Sequence, residues 1–307
     1  MENTKPQARK DLTTEKQNPN SLRIDKRSIP EILEIMNKED QSIALKIQAV
    51  LPEISRAVEL AVKAIQCGGH VYYIGAGTSG RLGVLDASEI PPTFSAPRDW
   101  FQGVIAGGRE ALVRSIEGAE DIPEDAEKAL QKVGFCSKDF LVGIASSSAT
   151  PYVVHALGWA RGIGASTAYI ICNPKPLLDI EVDTLIAVDV GPEILTGSTR
   201  LKSGTATKLV LNMISTTTMI RIGKVYGNLM VDLDAVNQKL VDRGSRIIQQ
   251  LTDLPYDKAR EMLFASGKEV KTAIVMTRQQ CGKEEARQLI RNNDGFLRRI
   301  IGDVAGQ

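Results

Sequence analysis

The sequence has few of the side chains that bind metal ions or form disulfides. Among 307 residues there are four cysteines and two histidines. The cysteines are widely spaced and form no Cys-X-X-Cys pair: they are Cys67, Cys136, Cys172 and Cys281. Structural zinc sites use closely spaced Cys and His ligands, and disulfide frameworks are typical of short, cysteine-rich secreted chains. We therefore expect reduced cysteines and no metal.

The sequence also lacks a long apolar run and an excess of charge of either sign. No run approaches the roughly 20 apolar residues of a membrane-spanning helix, and residues 1–20 lack the apolar segment of a secretory signal. The 38 basic and 37 acidic residues give a net charge of +1. Nucleic acid and anionic membranes are therefore not expected as partners. We expect a cytoplasmic protein.

The first part of the chain is polar. Residues 1–20 show no hydrophobic periodicity and predict a disordered tail. From Ser28 onward, apolar residues recur at spacings of three and four, which predicts helices before the first strand. Gly68 and Gly69 end this pattern.

Short apolar runs then predict five strands: Val71–Ile74, Gly103–Ala106, Phe140–Ala145, Thr167–Cys172 and Thr184–Val188. Helical patterns separate most of them, including "REALVRSIEGAED" and "PYVVHALGWARGIG". Alternating strands and helices predict an α/β fold, a doubly wound parallel sheet, over residues 21–231. Ligands of such sheets bind beyond the carboxyl ends of the strands.

Beyond about Asp232 no further strands are predicted. Five helical patterns, separated by Gly, Pro or charged turns, extend to the end of the chain. We therefore predict a smaller C-terminal helical cap domain over residues 232–307.

The loop after the first predicted strand is rich in glycine and hydroxyl groups. "GAGTSG" contains Thr78 and Ser79 and formally matches the dinucleotide-binding pattern. That pattern also needs an acidic residue about 20 positions later. Asp86 and Glu89 come too early, and Asp99 falls in a Pro-rich loop. The match to a dinucleotide site is therefore weak.

A second hydroxyl-rich loop favours a single phosphate. In "SSSATPYVV", Ser146, Ser147, Ser148 and Thr150 precede Pro151, which is suited to the first position of a helix. Hydroxyls and free N–H groups at a helix N-terminus form an anion site. The alternative is that these side chains only cap helices.

A third polar loop, "GPEILTGSTRLKSGTATK", opens a long apolar helix. Its candidate substrate-binding residues are Glu193, Ser198, Lys202 and Lys208. The helix dipole disfavours a cation such as Lys202 in the first turn unless an anion is near. This position therefore favours a bound carboxylate or phosphate.

Two carboxylate clusters supply further candidates. Asp86 and Glu89 would share a helix face before two prolines that should stop the helix. Glu120 lies among acidic residues at the predicted end of another helix. Solvated turns are the alternative for such clusters, but the place of Glu89, just after the glycine-rich loop, favours a functional role.

Several long segments resemble the N-acetylmuramic acid 6-phosphate etherases, a family of sugar isomerase (SIS) domain enzymes. The segments are "IGAGTSGRLGVLDASEIPPTF", "IAGGREALVRSIEGAED", "EILTGSTRLKSGTATKLVLNMIST" and "GKVYGNLMVDL". The resemblance runs from about Ser21 to about Ile301. It implies a SIS fold and a homodimer that uses neither a metal nor a nucleotide cofactor. It also implies that water cleaves the D-lactyl ether of N-acetylmuramate 6-phosphate in cell-wall recycling, giving N-acetylglucosamine 6-phosphate and D-lactate.

The resemblance implies two catalytic glutamates, which match Glu89 in "DASE" and Glu120 in "EGAED". One segment departs from the family pattern. Where the family usually has Ser-Gly-Arg before "TPYV", this chain has Ser147, Ser148 and Ala149. The serines can still donate hydrogen bonds, but the arginine is missing.

The implied reaction begins with removal of the proton at carbon 2 of the open-chain sugar, followed by loss of lactate from carbon 3 and addition of water. We assign Glu89 to the leaving oxygen and the water, and Glu120 to carbon 2; the opposite assignment stays open. Candidates for the 6-phosphate are Ser79, Ser147 and Ser148. Candidates for the lactyl carboxylate are Arg81, Lys202, Lys208 and, less strongly, Lys239.

Three other functions remain open at this point. An aldose-ketose isomerase of the same fold would also remove the proton at carbon 2. A non-catalytic sugar-phosphate sensor would need neither glutamate, and the presence of both favours an enzyme. A dinucleotide-binding protein is the third alternative.

Overall fold

The computed structural model describes residues 11–233 and 235–304, which form two compact units. The first unit comprises the described residues up to Ser88 together with Asp99–Ser215, and the second comprises Glu89–Arg98 and the described residues from Thr216 onward. This division differs from the predicted boundary at residues 231 and 232. The reason is that two long helices, α3 (Gly77–Phe94) and α6 (Lys202–Arg221), each contribute residues to both units.

The first unit is built on five parallel strands, close to the predicted positions. They are β1 (Val71–Gly75), β2 (Phe101–Ile105), β3 (Phe140–Ile144), β4 (Ser166–Ile171) and β5 (Thr184–Ala187). Their order across the sheet is β2-β1-β3-β4-β5. The direction of winding therefore reverses between β1 and β3, and this reversal is where a doubly wound sheet opens a crevice.

Helices cover both faces of this sheet. The remaining helices of the unit are α1 (Ile29–Gln48), α2 (Leu51–Gln66), α4 (Glu124–Lys132) and α5 (Pro151–Gly162). Alternate residues of a strand face opposite ways. Tyr72 and Ile74 of β1 share a core with residues of α4 and α5, whereas Tyr73 packs closely against Gly83 of α3. The predicted doubly wound α/β fold is thus confirmed.

Two local predictions on either side of β2 are wrong. The segment "REALVRSIEGAED" is not a helix but contains two 3-10 turns, Gly108–Leu112 and Ala119–Asp121. Gly107 and Gly118 precede them with φ of +81° and +74°, which ends any continuous helix. The two prolines do not stop α3, which continues to Phe94. Both lie in its last turn, and the helix ends two residues after Pro92, so the loss of two N–H donors falls on that turn alone.

The prediction of a disordered tail is wrong for residues 11–20, while residues 1–10 lie outside the described part of the chain. Residues 13–15 and 19–21 form 3-10 turns. Leu12, Thr14 and Asn18 are buried. Composition alone suggested disorder, but Thr14 and Asn18 form hydrogen bonds with residues far along the sequence.

In the second unit the predicted C-terminal helices form in order. They are α7 (Gln238–Thr252), α8 (Tyr256–Ala265), α9 (Val270–Gln279), α10 (Lys283–Asn292) and α11 (Leu297–Ile301). Their apolar faces share a core that includes Ile248, Leu251, Leu263 and Ile274. None of the helices in the described part of the chain is both long and apolar enough to cross a membrane.

Candidate functional site

A cavity of about 270 Å³ lies at the carboxyl ends of β1 and β3, where the winding of the sheet reverses. Its wall comes from five stretches of the first unit, one of which contributes only Glu120. They contribute Leu12 and Glu15; Ala76, Gly77, Thr78 and Ser79; Glu120; Ile144, Ala145, Ser146, Ser147 and Thr150; and Gly197 and Thr199. The sheet topology therefore brings the two predicted hydroxyl-rich loops together.

The first hydroxyl-rich loop leads directly from β1 into α3. Helix α3 begins at Gly77, so Thr78 and Ser79 occupy its first turn, where backbone N–H groups have no acceptor within the helix. This sharp connection depends on Gly80, because a Cβ there would lie 2.6 Å from the carbonyl oxygen of Gly75. The positive end of the α3 dipole thus faces the cavity.

The second hydroxyl-rich loop leads from β3 into α5. Thr150 is the N-cap residue and Pro151 the first helical residue, as predicted. Among the residues described, Thr150 makes no side-chain capping bond with α5, so its hydroxyl is available to a ligand. Ser147 Oγ accepts only a long hydrogen bond, 3.4 Å, from Ala149 N. Capping alone does not account for these hydroxyls.

Ser148 does not line the cavity, although it was a predicted contact. It is buried, and its Oγ accepts a 2.6 Å hydrogen bond from Leu177 N. Its φ is +58°, a left-handed conformation that favours glycine. A glycine, which the family resemblance implies at this position, would adopt this conformation without strain, and for Ser148 the bond to Leu177 N offsets the cost. Ala149 is also buried and brings no charge.

Glu120 brings a carboxylate to the cavity. It lies in the second 3-10 turn of the segment that follows β2, and its side chain is exposed. Arg81 holds this segment: its Nε donates to the carbonyl oxygen of Ala111 and its Nη2 to that of Arg114, both at 2.9 Å. Arg81 is therefore engaged with the protein's own backbone rather than placed in the cavity wall.

Glu193 and Lys202 have partners inside the protein. The buried Glu193 carboxylate accepts hydrogen bonds from Lys202 N, Ser203 N and Ser203 Oγ at 2.8 to 2.9 Å, and so caps α6. Lys202 is 2% exposed, and its Nζ lies 2.6 Å from Glu39 Oε2. The anion that the position of Lys202 called for is thus the carboxylate of Glu39 rather than a ligand.

Lys208 borders a second depression that shares Thr78 with the main cavity. This depression, about 370 Å³, is also lined by Leu82, Arg200, Gly204, Thr205 and Leu209. Lys208 Nζ lies 3.0 Å from Asp86 Oδ1 and 2.6 Å from Asn212 Oδ1. Both predicted carboxylates lie on α3, where Asp86 is buried and Glu89 is exposed.

Three further predicted residues also lie outside the cavity wall. Ser198 is half-buried beside the lining residues Gly197 and Thr199. Glu89 and Lys239 belong to the second unit, on α3 and α7, and both are exposed. Within residues 11–233 and 235–304, no group of three or more His, Cys, Asp or Glu side chains is placed to hold a metal ion.

Sequence reasoning missed Leu12, Glu15, Gly197 and Thr199 as cavity residues. Leu12 and Glu15 fall in the segment predicted to be disordered. One signal was available: "NPN", residues 18–20, is a turn sequence that can fix a chain locally. None of the cavity residues is a lysine or arginine, so within the described part of the chain helix N-termini and hydroxyls supply its positive potential.

A family model and a solved structure are each similar to part of this chain. A family model described as the glucokinase regulatory protein N-terminal SIS domain matches residues 53–161. A phosphoheptose isomerase structure from Neisseria gonorrhoeae aligns with a TM-score of 0.45 at 15% identity, over 62% of this chain and 98% of that chain.

Two curated relatives extend over nearly the whole chain. The N-acetylmuramic acid 6-phosphate etherase of Rhizobium rhizogenes is 53% identical over 94% of this chain and 94% of its own. That of Salinibacter ruber is 49% identical over 95% of this chain and 94% of its own. The chain therefore belongs to the N-acetylmuramic acid 6-phosphate etherase family.

Proposed function

We propose that this protein is an etherase that converts N-acetylmuramate 6-phosphate and water into N-acetylglucosamine 6-phosphate and D-lactate. One observation carries the proposal: a single cavity combines two helix N-termini and their hydroxyls with the carboxylate of Glu120. The helix N-termini and hydroxyls suit a phosphate group, and the carboxylate suits proton transfer on the same sugar.

The 6-phosphate would bind between the N-termini of α3 and α5. Thr78, Ser79, Ser146, Ser147 and Thr150 line this part of the cavity with hydroxyl groups. Backbone N–H groups in the first helical turns add donors. A phosphate monoester fits such a site without a lysine or arginine, because the donors are fixed in place by the sheet.

Glu120 would act at carbon 2. In the open-chain aldehyde the proton on carbon 2 is acidic, and its removal forms an enolate. The enolate then expels the lactyl oxygen from carbon 3, leaving a double bond between carbons 2 and 3. Water adds at carbon 3, and a proton returns to carbon 2. These reaction steps balance without an oxidant or a metal.

Glu89 would be the second proton-transfer group. It would donate a proton to the lactyl oxygen as the carbon–oxygen bond breaks, and take one from the incoming water. Two observations support this role: Glu89 matches one of the two catalytic glutamates that the family resemblance implies, and its carboxylate is exposed. The opposite assignment of roles to Glu89 and Glu120 uses the same two side chains. Hydrogen exchange at carbon 2 distinguishes the two assignments.

The lactyl carboxylate would face the depression that contains Lys208 and Arg200. This depression shares Thr78 with the main cavity, so both could contact one substrate molecule. Two other predicted partners of this carboxylate, Arg81 and Lys202, already bind groups of the protein. A third, Lys239, belongs to the second unit.

The first test is release of D-lactate from N-acetylmuramate 6-phosphate in water enriched in heavy oxygen. Elimination followed by hydration places the label on carbon 3 of the sugar. Direct displacement at the lactyl carbon would instead place it in lactate. Tight binding of the phosphosugar without any lactate release would reject the etherase function.

A regulator that binds a phosphosugar without converting it is the second candidate. It is favoured by the match of residues 53–161 to a domain model named for a regulatory protein. The same experiment separates the two, because a regulator would bind the sugar phosphate and release no lactate.

A further prediction concerns Arg81, whose guanidinium holds the segment that carries Glu120. We expect Arg81→Met to lower kcat at least tenfold, because an error of about 1 Å in a catalytic group can cost a hundredfold in rate. Affinity for inorganic phosphate, measured by calorimetry, should stay unchanged. Arg109→Met, which alters an exposed arginine of the same segment, is the control. An equal loss of phosphate affinity would contradict this positioning role of Arg81.

We also propose that the protein is a cytoplasmic homodimer, as the family resemblance implies. Ile29 and Leu33 lie one turn apart on α1 and are 75% and 59% exposed. Neighbouring exposed apolar side chains of this size support a contact with a second copy.

A further inference from the structure

We propose that Glu15 is a substrate-binding residue whose carboxylate accepts a hydrogen bond from a hydroxyl group of the phosphosugar. The inference rests on the proposed function only in requiring that a phosphosugar occupies the main cavity. It concerns the N-terminal strap, which we define as residues 12–21, the segment before α1.

The first half of the N-terminal strap is held by hydrogen bonds, one of them to the loop that precedes α6. Thr14 is fully buried, and its carbonyl oxygen accepts a 3.1 Å hydrogen bond from Gly197 N. Its backbone N donates to Asn173 Oδ1, and Asn173 Nδ2 donates to its hydroxyl, each at 3.4 Å. Glu15 is therefore held beside Gly197 by its neighbour.

The second half of the strap is anchored to α1 and to the loop after β5. Asn18 Nδ2 donates to Glu39 Oε2 at 2.9 Å and to the carbonyl oxygen of Pro192 at 3.0 Å. Asn20 Nδ2 donates to Glu39 Oε1 at 2.8 Å. With both halves anchored, the strap presents Glu15 as a fixed part of the cavity wall.

The carboxylate of Glu15 lies over Gly197 in that wall. A Cβ at Gly197 would be 3.2 Å from Glu15 Oε2, so the absence of a side chain leaves room for the carboxylate. No hydrogen bond or ion pair to this carboxylate is formed by the residues that the structure describes. Its oxygens are thus free to accept hydrogen bonds from a ligand.

The charge of Glu15 decides which part of a ligand it can contact. A carboxylate accepts hydrogen bonds but has none to donate at neutral pH. It therefore repels a phosphate and attracts a hydroxyl. The cavity thus has donors at the two helix N-termini and an acceptor at the strap, a polarity that matches a sugar with a phosphate at one end and hydroxyls along its chain.

Two probes of this cavity should respond differently to Glu15→Ala, and only the sugar phosphate should bind more weakly. N-acetylglucosamine 6-phosphate should bind about tenfold more weakly, because a hydrogen bond to a charged acceptor is lost. Inorganic phosphate, which has no sugar hydroxyls, should bind equally well or a few-fold more tightly, because a nearby negative charge is gone. Calorimetric titration of the full-length protein measures both affinities.

Glu15→Gln and Lys16→Ala are the comparison variants. Glutamine keeps an acceptor oxygen and should recover part of the sugar-phosphate affinity, while Lys16 is an exposed strap residue outside the cavity wall and should have no effect. Parallel weakening of both probes would overturn the proposal, since that is what a merely structural role for Glu15 predicts. Unchanged affinity for both, or no binding of the sugar phosphate to the parent protein, would also overturn it.

The binding measurements are independent of turnover. A parent protein that binds the sugar phosphate but releases no lactate would reject the etherase function and leave the Glu15 test valid. An active etherase whose Glu15→Ala variant binds both probes normally would reject Glu15 alone.

Discussion

Glu120→Gln is expected to release D-lactate from N-acetylmuramate 6-phosphate about 10²- to 10⁴-fold more slowly than the parent protein, the usual contribution of a well-placed acid or base. Glutamine has the same shape but cannot take up the proton from carbon 2. Because Glu120 is exposed at the cavity wall, the substitution leaves the core unchanged. Affinity for inorganic phosphate should be retained.

Exchange of the carbon 2 proton identifies the role of Glu120. When N-acetylglucosamine 6-phosphate is incubated with the parent protein in deuterium oxide, deuterium should enter carbon 2. Glu120→Gln should abolish this exchange, whereas Glu89→Gln should preserve it and block only lactate release. The reverse pattern would exchange the two assignments.

Glu117→Gln is the matched control for this pair. Glu117 lies three residues before Glu120 in the same segment, is exposed, and accepts a hydrogen bond from Ser115 Oγ. It does not line the cavity. Full activity of Glu120→Gln alongside Glu117→Gln would remove Glu120 from the mechanism.

The sequence predicts the part of this site that depends on local pattern. Apolar runs locate β1 and β3, and the hydroxyl groups directly after them become cavity residues because parallel strands end at the same edge of the sheet. Local pattern is therefore sufficient to assign Ser79 and Ser147 to one site. Pro151 likewise marks the start of α5 correctly.

The parts that could not be predicted depend on contacts between distant residues. The position of Lys202 suggests a ligand contact only because its true partner, Glu39, is 163 positions away. The bonds of Arg81 escape prediction for a similar reason, since its acceptors are backbone carbonyls, which leave no trace in the side-chain pattern. Glu15 escapes prediction because the polarity of its segment suggests disorder, although that polarity serves to anchor it.

The ion pair between Glu39 and the buried Lys202 has the largest expected effect on stability. Glu39→Gln should lower the free energy of unfolding by about 3 to 5 kcal/mol, because it leaves the ammonium of a lysine that is 2% exposed without its countercharge. Urea unfolding at pH 7 measures this loss. The double variant Glu39→Gln/Lys202→Met should recover much of it, since no unpaired charge is then buried.

Glu59→Gln is the comparison for an exposed ion pair. Glu59 lies one turn from Arg56 on α2, and both side chains are more than half exposed. Surface pairs of this kind contribute little, so the urea midpoint should not move. Equal effects of Glu39→Gln and Glu59→Gln would mean that burial does not set the strength of the Glu39–Lys202 pair.

Acid should reveal the same interaction without a change of sequence. Burial raises the pKa of Glu39, but hydrogen bonds from Lys202, Asn20 and Asn18 outweigh it and lower the pKa from 4.5 to about 2. A carboxyl with a lowered pKa stabilises the folded protein above its unfolded pKa and loses that contribution as pH falls through the folded value. The difference in unfolding free energy between the parent and Glu39→Gln should therefore shrink, by about 3 kcal/mol, between pH 4.5 and pH 2. A difference that stays constant over this range would show that protonation of Glu39 is not linked to folding.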